Sequence, residues 1–294
     1  MKLLARVIRL FSFSLVTSGV FYFPGMLLIR LGRKLRVLNF KRNNVKSEDF
    51  QEIKVFSNVR LQVDASAYMG GSLFWTGLHH VNEIIYLNKI LNRKDVFIDV
   101  GANQGEFSMF AASRVSEGKV IAFEPVKYQL NLLKNNLKLN GFRNCEIHEF
   151  GLSNENAQLP IYTSNDSELH AGIHEGLSSL FPSGDVNEEQ QIIDIKVFDE
   201  IITPTLERFD FLKIDIEGAE LYALKGMRVA LEKFKPQILI EMNDRTFRSA
   251  GYSLTEMFDF LSELNYKPFR IHRGHLVSVS GVEQLTDWGN YIFK

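Results

Sequence analysis

Short apolar runs alternate with helical patterns along most of this chain. Runs of β-forming residues occur at 96–98, 119–123, 145–150, 209–214 and 237–241. Several are separated by segments in which apolar residues recur every three or four positions. Buried strands that alternate with amphipathic helices indicate β-α-β units. The pattern therefore predicts an α/β fold with a doubly wound, mostly parallel sheet.

The weaker patterns predict the remaining elements. Helices are expected at 79–91, 128–140, 219–233 and 255–264, and closing strands at 267–271 and 291–293. Strands at 158–163 and 191–198 flank a polar insert, 164–189. A small β-hairpin is expected from 58–64 and 72–76, around the glycines at 70 and 71.

Charge divides the chain into two parts. Residues 1–46 contain 10 Lys and Arg and no Asp or Glu, and the rest contains 24 basic and 35 acidic residues. We therefore predict a basic N-terminal extension, 1–46, and one domain, 47–294, that includes the insert 164–189. An acidic domain argues against a nucleic-acid partner. The single Cys145 excludes a disulfide framework and is consistent with a reducing compartment.

The extension contains an uncharged apolar stretch, residues 10–29, between basic residues. A membrane span needs about 20 apolar residues, but serines, a threonine and Pro24-Gly25 interrupt this one. Basic flanks and aromatic residues favour an interfacial segment on anionic lipid. A helical extension packed on the domain and a true span remain open. We expect a cytoplasmic protein with peripheral contact at the inner face of the membrane.

The first predicted core strand runs into the turn DVGANQG, residues 99–105. Small residues at a strand-to-helix turn let the backbone approach a ligand closely. Glu124 ends the next strand roughly 20 residues later, where a carboxylate reaches ribose hydroxyls. Asn103 replaces the second glycine of the dinucleotide fingerprint. The turn therefore predicts a nucleoside-like ligand without a pyrophosphate.

Three segments carry a resemblance to a known family. VFIDVGANQGEF (96–107), VIAFEP (120–125) and FDFLKIDIEGAELYALKGM (209–227) resemble motifs of the FkbM family of S-adenosylmethionine-dependent methyltransferases, over roughly residues 83–243. The resemblance implies the Rossmann-like class I methyltransferase fold and S-adenosylmethionine as the cofactor. The cofactor-binding residues it implies are Asp99, Gly101, Ala102, Asn103, Gly105, Glu124, Pro125, Gly151, Leu152 and Asp215.

The acceptor side is expected around the KIDIEGAE string. Asp215 closes the fourth core strand, and Glu217 and Glu220 follow on the turn and the first helical positions. We predict these three as catalytic residues, together with His174 of the insert as a general base, for which His170 is the alternative. Acids at a helix start also have a structural explanation, because they favour the helix dipole. A divalent metal on Asp215, Glu217 and Glu241 is conceivable, but no metal is predicted.

The last candidate site residues are three that precede the first core strand. His79 and His80 are expected to be structural or to face solvent. Glu83 matches a glutamate that the resembled family commonly has in this helix, which implies that it reaches the site.

Together these features predict O-methylation of a sugar hydroxyl in a glycan or a lipid-linked saccharide, with a small-molecule or saccharide acceptor as the partner. The oxygen acceptor is implied by the resemblance alone. Two alternatives remain, a nucleotide-dependent oxidoreductase and a non-catalytic cofactor-binding module of the same fold. The oligomeric state stays open.

Overall fold

The computed structural model describes residues 2–17, 21–43, 49–56, 58–164, 178–181, 187–286 and 288–294. Within these residues the helices α1 to α11 are, in chain order, Lys2–Thr17, Tyr22–Asn43, Tyr68–Thr76, Val81–Ile90, Glu106–Arg114, Lys127–Asn140, Phe198–Ile201, Glu220–Lys225, Arg228–Phe234, Asp244–Ser249 and Leu254–Glu263. The strands β1 to β14 are Phe50–Val55, Val59–Asp64, Val96–Val100, Lys119–Phe123, Cys145–His148, Gly151–Ser153, Ala157–Ser164, Ser178–Ser179, Asn187–Val197, Phe211–Ile214, Gln237–Asn243, Pro268–His272, His275–Ser278 and Trp288–Phe293.

An eight-stranded sheet forms the centre of the molecule, in the order β13-β12-β14-β11-β10-β3-β4-β5. The five strands from β11 to β5 are parallel, and β14, β12 and β13 complete the sheet with antiparallel pairs. The predicted α/β fold with a mostly parallel sheet is confirmed. A second sheet, β6-β9-β7-β8, arises between β5 and β10 in the chain.

Both faces of the central sheet are covered, which explains the short apolar runs. Along β3, Phe97 packs into one core cluster and Ile98 into the other, and both are fully buried. Phe97 stacks on Phe211 of the neighbouring β10, with ring centroids 5.3 Å apart. Successive side chains of a strand point to opposite faces, so a strand inside this sheet has no solvent face to keep polar.

The predicted hairpin differs from the observed one. β2 pairs with β1, Phe50–Val55, and the residues expected as its partner form α3. Leu73, Phe74 and Trp75 of α3 are all buried. A short run that is apolar on every side has no periodicity to separate a buried helix from a strand. The prediction of a strand at 72–76 was therefore wrong.

The helix predicted at 219–233 is two helices, α8 and α9. Gly226 follows α8, where a Cβ would lie 2.0 Å from the carbonyl oxygen of Ser153. The third core strand ends at His148, two residues earlier than expected, and β13 was not predicted.

The N-terminal helices α1 and α2 pack on the domain. Ala5, Val16 and Ile29 lie in the same buried cluster as Phe97 of β3. Among the residues that the structure describes, no helix combines the length and the apolar character that a bilayer crossing requires. The division into an extension and a domain at residue 46 stays a prediction.

Candidate active site

Two neighbouring strands, β3 and β10, define the candidate active site. From β3 the chain builds outward to β4 and β5, and it then returns to place β10 on the other side of β3. A doubly wound sheet opens a crevice at such a reversal, beyond the carboxyl ends of its strands. Asp99 lies near the end of β3, and Glu124 and Asp215 directly follow β4 and β10. All three therefore lie at this edge.

The turn after β3 has a left-handed backbone at three positions. The φ angles are 75° at Gly101, 50° at Asn103 and 95° at Gly105. The N–H of Gly101 donates to the carbonyl of Phe123 at 3.1 Å. A Cβ on Gly101 would lie 2.0 Å from the carbonyl oxygen of Asp215. The close approach of two chain segments therefore requires this glycine, where the sequence had suggested the approach of a ligand.

Glu124 is held against that turn. Its Oε2 accepts the N–H of Asn103 at 2.7 Å, and its Oε1 accepts the N–H of Val126 at 2.9 Å. Burial raises the pKa of Glu124 to about 7, although these hydrogen bonds act to lower it. A carboxylate offers about four acceptor positions, so this one can still bind hydroxyl groups. Its role on the ribose stays a prediction.

The other predicted cofactor residues surround the same turn. Ala102 is buried within it, and Pro125 follows Glu124. Gly151 begins β6, where a Cβ would lie 3.7 Å from Cγ of Pro125. Leu152 is buried with Phe123 in the core. The side chain of Leu152 therefore belongs to the core and not to a ligand surface.

Lys213 of β10 is a residue that the sequence analysis missed. It is buried, its Nζ lies 3.4 Å from Oδ1 of Asp99, and the ammonium donates to the carbonyl of Gly101 at 2.6 Å. Oδ2 of Asp99 accepts the hydroxyl of Ser108 at 2.5 Å. Burial disfavours the ammonium, but the carboxylates of Asp99 and Asp215 outweigh this and raise the pKa of Lys213. The available signal was its position directly inside the KIDIEGAE string.

Three carboxylates, Asp215, Glu217 and Glu241, form an acid cluster at the ends of β10 and β11. Each offers one oxygen within 4.8 Å of the other two. Burial, then Glu241 and Asp215, raises the pKa of Glu217 well above its ordinary value. Burial and Asp215 raise the pKa of Glu241 to about 8. The spacing would suit a hard cation, and it would equally suit a group of hydroxyls; that no metal binds stays a prediction.

Glu220, another predicted catalytic residue, faces its own loop. Its Oε1 accepts the N–H of Ile216 at 2.7 Å, and its Oε2 accepts the N–H of Gly218 at 2.9 Å. The side chain is 1% exposed, and burial raises its pKa to about 7. These contacts hold the loop that carries Glu217, as expected for a positioning residue. His174 lies outside the described residues.

His80 lies at the cleft, contrary to expectation. The residues that line this cleft include His80, Phe107, Lys213, Asp215, Glu241 and Asn290. Nδ1 of His80 is 2.9 Å from Oε2 of Glu106, which is buried. Glu83 reaches the cleft through Asn290, whose Nδ2 donates to Oε1 of Glu83 at 3.0 Å. No pattern in the sequence distinguishes His80 from its neighbour His79, which is also half-buried.

Trp288 was also missed. Strand β14 runs antiparallel to β11, so the start of β14 lies beside the end of β11. The indole N–H of Trp288 donates to Oε1 of Glu241 at 2.7 Å, yet the side chain is 67% exposed. An apolar ring thus lies open to solvent beside the acid cluster.

Comparison with known proteins gives consistent matches. The model of the family described as "Methyltransferase FkbM domain" matches residues 99–268. Methyltransferase 1 of Beauveria bassiana is 27% identical over 145 residues, which are 44% of this chain and 57% of that protein. Methyltransferase sdnD of Sordaria araneosa is 25% identical over 190 residues, 54% of this chain and 73% of that protein.

A solved structure also aligns with this chain. Methyltransferase FkbM from Methylobacillus flagellatus has a TM-score of 0.44 and 20% identity, over 69% of this chain and 44% of that one. The chain thus spans less than two thirds of the length of Methyltransferase 1, and less than half of the solved chain.

Proposed function

Because the chain belongs to the FkbM methyltransferase family, we propose that it transfers a methyl group to a hydroxyl oxygen of a saccharide, in a glycan or a lipid-linked saccharide. The methyl donor of the family is S-adenosylmethionine, which is therefore the cofactor. Family membership decides for methyl transfer against the nucleotide-dependent oxidoreductase. The oxygen acceptor and the saccharide are the proposed part.

The residues at the ends of β3 and β4 suit this cofactor. Oδ1 of Asp99 is buried and faces the Lys213 ammonium at 3.4 Å, without a well-formed hydrogen bond among the described residues. Glu124 keeps acceptor capacity beyond its two backbone contacts. Asp99 and the turn at Gly101 and Asn103 would hold the methionine side, and Glu124 the ribose. When bound, the cofactor supplies an electrophilic methyl group on a sulfonium.

The pairing of Trp288 with Glu241 is the observation that supports a saccharide. A sugar ring has an apolar face of C–H groups and an edge of hydroxyls. The exposed indole of Trp288 offers a flat apolar surface, and the acid cluster beside it offers hydrogen-bond acceptors. Few polar groups at fixed positions beside an aromatic surface are typical of small-molecule sites.

The test is incubation of the enzyme with isotopically labelled S-adenosylmethionine and cell-envelope extract, followed by mass spectrometry of the labelled products. We expect label on hydroxyl oxygens of saccharides. Label confined to nitrogen, to carbon or to non-saccharide material would contradict the proposal.

Variants at Trp288 sharpen that test. Loss of an aromatic contact worth about 0.5–1.5 kcal/mol should raise, about 3- to 10-fold, the amount of extract that half-saturates Trp288→Ala. Trp288→Phe, which keeps a ring, should fall between Trp288→Ala and the wild type. Equal half-saturation for all three would remove Trp288 from the acceptor site.

We also propose that α1 and α2 dock the enzyme on an anionic lipid surface. Both helices bury one face in the domain and expose apolar side chains on another. The exposed apolar face consists of Leu3, Leu4, Val7, Leu10 and Phe11 of α1, and Phe23, Leu27, Leu31 and Leu38 of α2. Exposed apolar area on this scale favours a partner surface.

The charges of the extension support a lipid partner. Arg30 and Lys34 are exposed and fall on the same side of α2 as Leu27 and Leu31, by their helical spacing. Residues 1–46 contain no acidic residue. Apolar and basic side chains on one helix face are typical of interfacial helices on anionic membranes.

A further inference from the structure

The half-buried His80 and the buried Glu106 form a hydrogen-bonded pair at the wall of the cleft. Oε1 of Glu106 accepts the N–H of His79 at 2.8 Å, and Oε2 lies 2.9 Å from Nδ1 of His80. The contacts with His80 and His79 lower the pKa of Glu106 although burial opposes them. The carboxylate is therefore ionised, and an ionised carboxylate can only accept. Nδ1 of His80 must carry the proton, so Nε2 is left as the basic nitrogen.

The surroundings of His80 make it a stronger base than an ordinary histidine. Glu106 lies on α5, Glu83 on α4, and Asp215 and Glu241 at the ends of β10 and β11. The other charged or titratable groups close by are Lys213, which lines the same cleft, and His79. Burial alone would lower the pKa of His80. The hydrogen bond to Glu106 and the negative charges of Glu106, Glu83 and Asp215 outweigh burial and raise this pKa to about 8.

No hydrogen bond to Nε2 of His80 forms within the part of the chain that the structure describes. The ring rests against Phe107, with centroids 4.8 Å apart, and lines the cleft together with Asp215 and Glu241. Its orientation is therefore fixed from both sides, by packing and by Glu106. A base that is oriented by a carboxylate through its other nitrogen is a recurrent arrangement in catalysis.

We propose that His80 is the general base of the methyl transfer and that Glu106 is its positioning residue, an inference that rests on the proposed hydroxyl acceptor. The hydroxyl oxygen forms a bond to the methyl carbon while its proton passes to Nε2 of His80. The electron pair of the broken carbon–sulfur bond stays on the sulfur, which becomes a neutral thioether. Glu106 keeps Nδ1 protonated and stabilises the imidazolium that results.

Other described histidines do not have this placement. His79 packs beside Tyr68, and desolvation lowers its pKa to about 3, so its ring is a much weaker base. His148 of β5 stacks on Phe123 of β4, and these strands lie on the side of β3 opposite to β10 and β11. His272 and His275 lie exposed on the β12–β13 hairpin.

The test uses the full chain, labelled S-adenosylmethionine and cell-envelope extract. His80→Gln should lose about 100-fold or more of the rate of label transfer while S-adenosylhomocysteine binding, measured by calorimetry, changes less than about twofold. His272→Gln, the same substitution at an exposed histidine, should leave the rate unchanged. His80→Gln with more than a tenth of the wild-type rate would overturn the assignment.

Glu106→Gln tests the positioning role through the pH dependence of the transfer rate, which would not change if Glu106 were only structural. The transfer rate of the wild type should rise with pH and level off above about 8. Without the Glu106 charge the pKa of His80 should fall, which would shift this rise to lower pH by about one unit or more. An unshifted profile would overturn the role of Glu106.

Nitrogen NMR of the histidine rings in the wild type tests the protonation of His80 even if His80→Gln does not fold. Above about pH 8, where the ring is neutral, protonation at Nδ1 with a free Nε2 supports the assignment, and protonation at Nε2 overturns it. If the wild type instead transfers label to a nitrogen or carbon atom, the proposed function is overturned. The rates at which the variants label that product would still show whether His80 is the base.

Discussion

Lys213 and Asp99 are direct register partners on adjacent strands, and the Lys213 ammonium lies 3.4 Å from Oδ1 of Asp99 in the buried interior. The same ammonium donates to the carbonyl of Gly101 at 2.6 Å. The strand that leads to the acid cluster is thereby tied to the turn expected to bind the cofactor. The DVGANQG turn and the KIDIEGAE string, which are separate motifs in the sequence, thus contact each other through Lys213.

Replacement of Lys213 by methionine should destabilise the protein by about 3–5 kcal/mol, because a buried carboxylate is left without its partner charge. The free energy of unfolding in urea is the measurement. Lys267→Met, at an exposed lysine, is the matched control and should change it by less than about 0.5 kcal/mol. Equal effects of the two substitutions would show that the buried pair is not needed.

Gly101→Ala should disrupt the turn for two reasons, a φ of 75° and a Cβ that would lie 2.0 Å from the carbonyl of Asp215. Gly251→Ala isolates the first reason, because Gly251 has a φ of 86° and open space around its Cβ position. We expect a cost of about 1 kcal/mol at Gly251 and of about 2–4 kcal/mol at Gly101.

Gly101→Ala and Gly251→Ala should also differ in their affinity for S-adenosylhomocysteine. Calorimetry should show that Gly101→Ala loses binding and that Gly251→Ala retains it, since only the first distorts the turn. Intact binding in Gly101→Ala would mean that the turn tolerates the shift or lies away from the cofactor.

Glu220 should make stability depend on pH. Burial raises its pKa from 4.5 to about 7, so the folded chain binds more protons than the unfolded chain between these values. The free energy of unfolding should therefore fall as pH rises through this range. Glu220→Gln should flatten this decline in urea titrations from pH 4.5 to pH 8, and the exposed Glu207→Gln should not. Glu124, which also titrates near 7, should leave part of the slope in place.

Docking on lipid should depend on the exposed apolar face of α1 and α2. The double variant Phe23→Glu with Leu27→Glu should reduce co-sedimentation with phosphatidylglycerol vesicles at least about tenfold, because each buried apolar side chain contributes about 1.5–3 kcal/mol. Added salt should weaken wild-type binding, since basic residues contribute to it.

A matched control places the same charges elsewhere. Val229→Glu with Val277→Glu changes two exposed apolar residues outside these helices, at 57% and 52% exposure. This variant should sediment like the wild type. Equal sedimentation of both double variants, or equal binding to neutral phosphatidylcholine vesicles, would contradict docking on anionic lipid.

The sequence predicted the parts of the fold that local pattern decides. The apolar run before Asp99 became β3, and α6 ends at Asn140 as predicted, where Gly141 follows with a φ of 66°. The segment 72–76 was predicted wrongly because burial on every side removes the periodicity on which such a prediction rests.

The candidate residues could be brought together from sequence where they share one string, or where they lie at the carboxyl ends of parallel strands, as Asp99, Glu124 and Asp215 do. Asp215 and Glu217 share one string and one cluster. His80 meets Glu106 across 26 positions, and Trp288 meets Glu241 across 47, through an antiparallel strand. Such pairs depend on the order of strands and helices in space, which spacing along one sequence does not encode.

The order of strands in the central sheet also determines which parts of the enzyme can change independently. The turn at Gly101 is locked to the backbone of Asp215, whereas Trp288 and Glu241 lie on β14 and β11, farther along the sheet. If the proposed acceptor site is formed by β11 and β14, a new acceptor specificity can arise by exchange of side chains there without alteration of the turn. In evolutionary terms, the proposed donor half is constrained by its own backbone, and the proposed acceptor half is free to diversify.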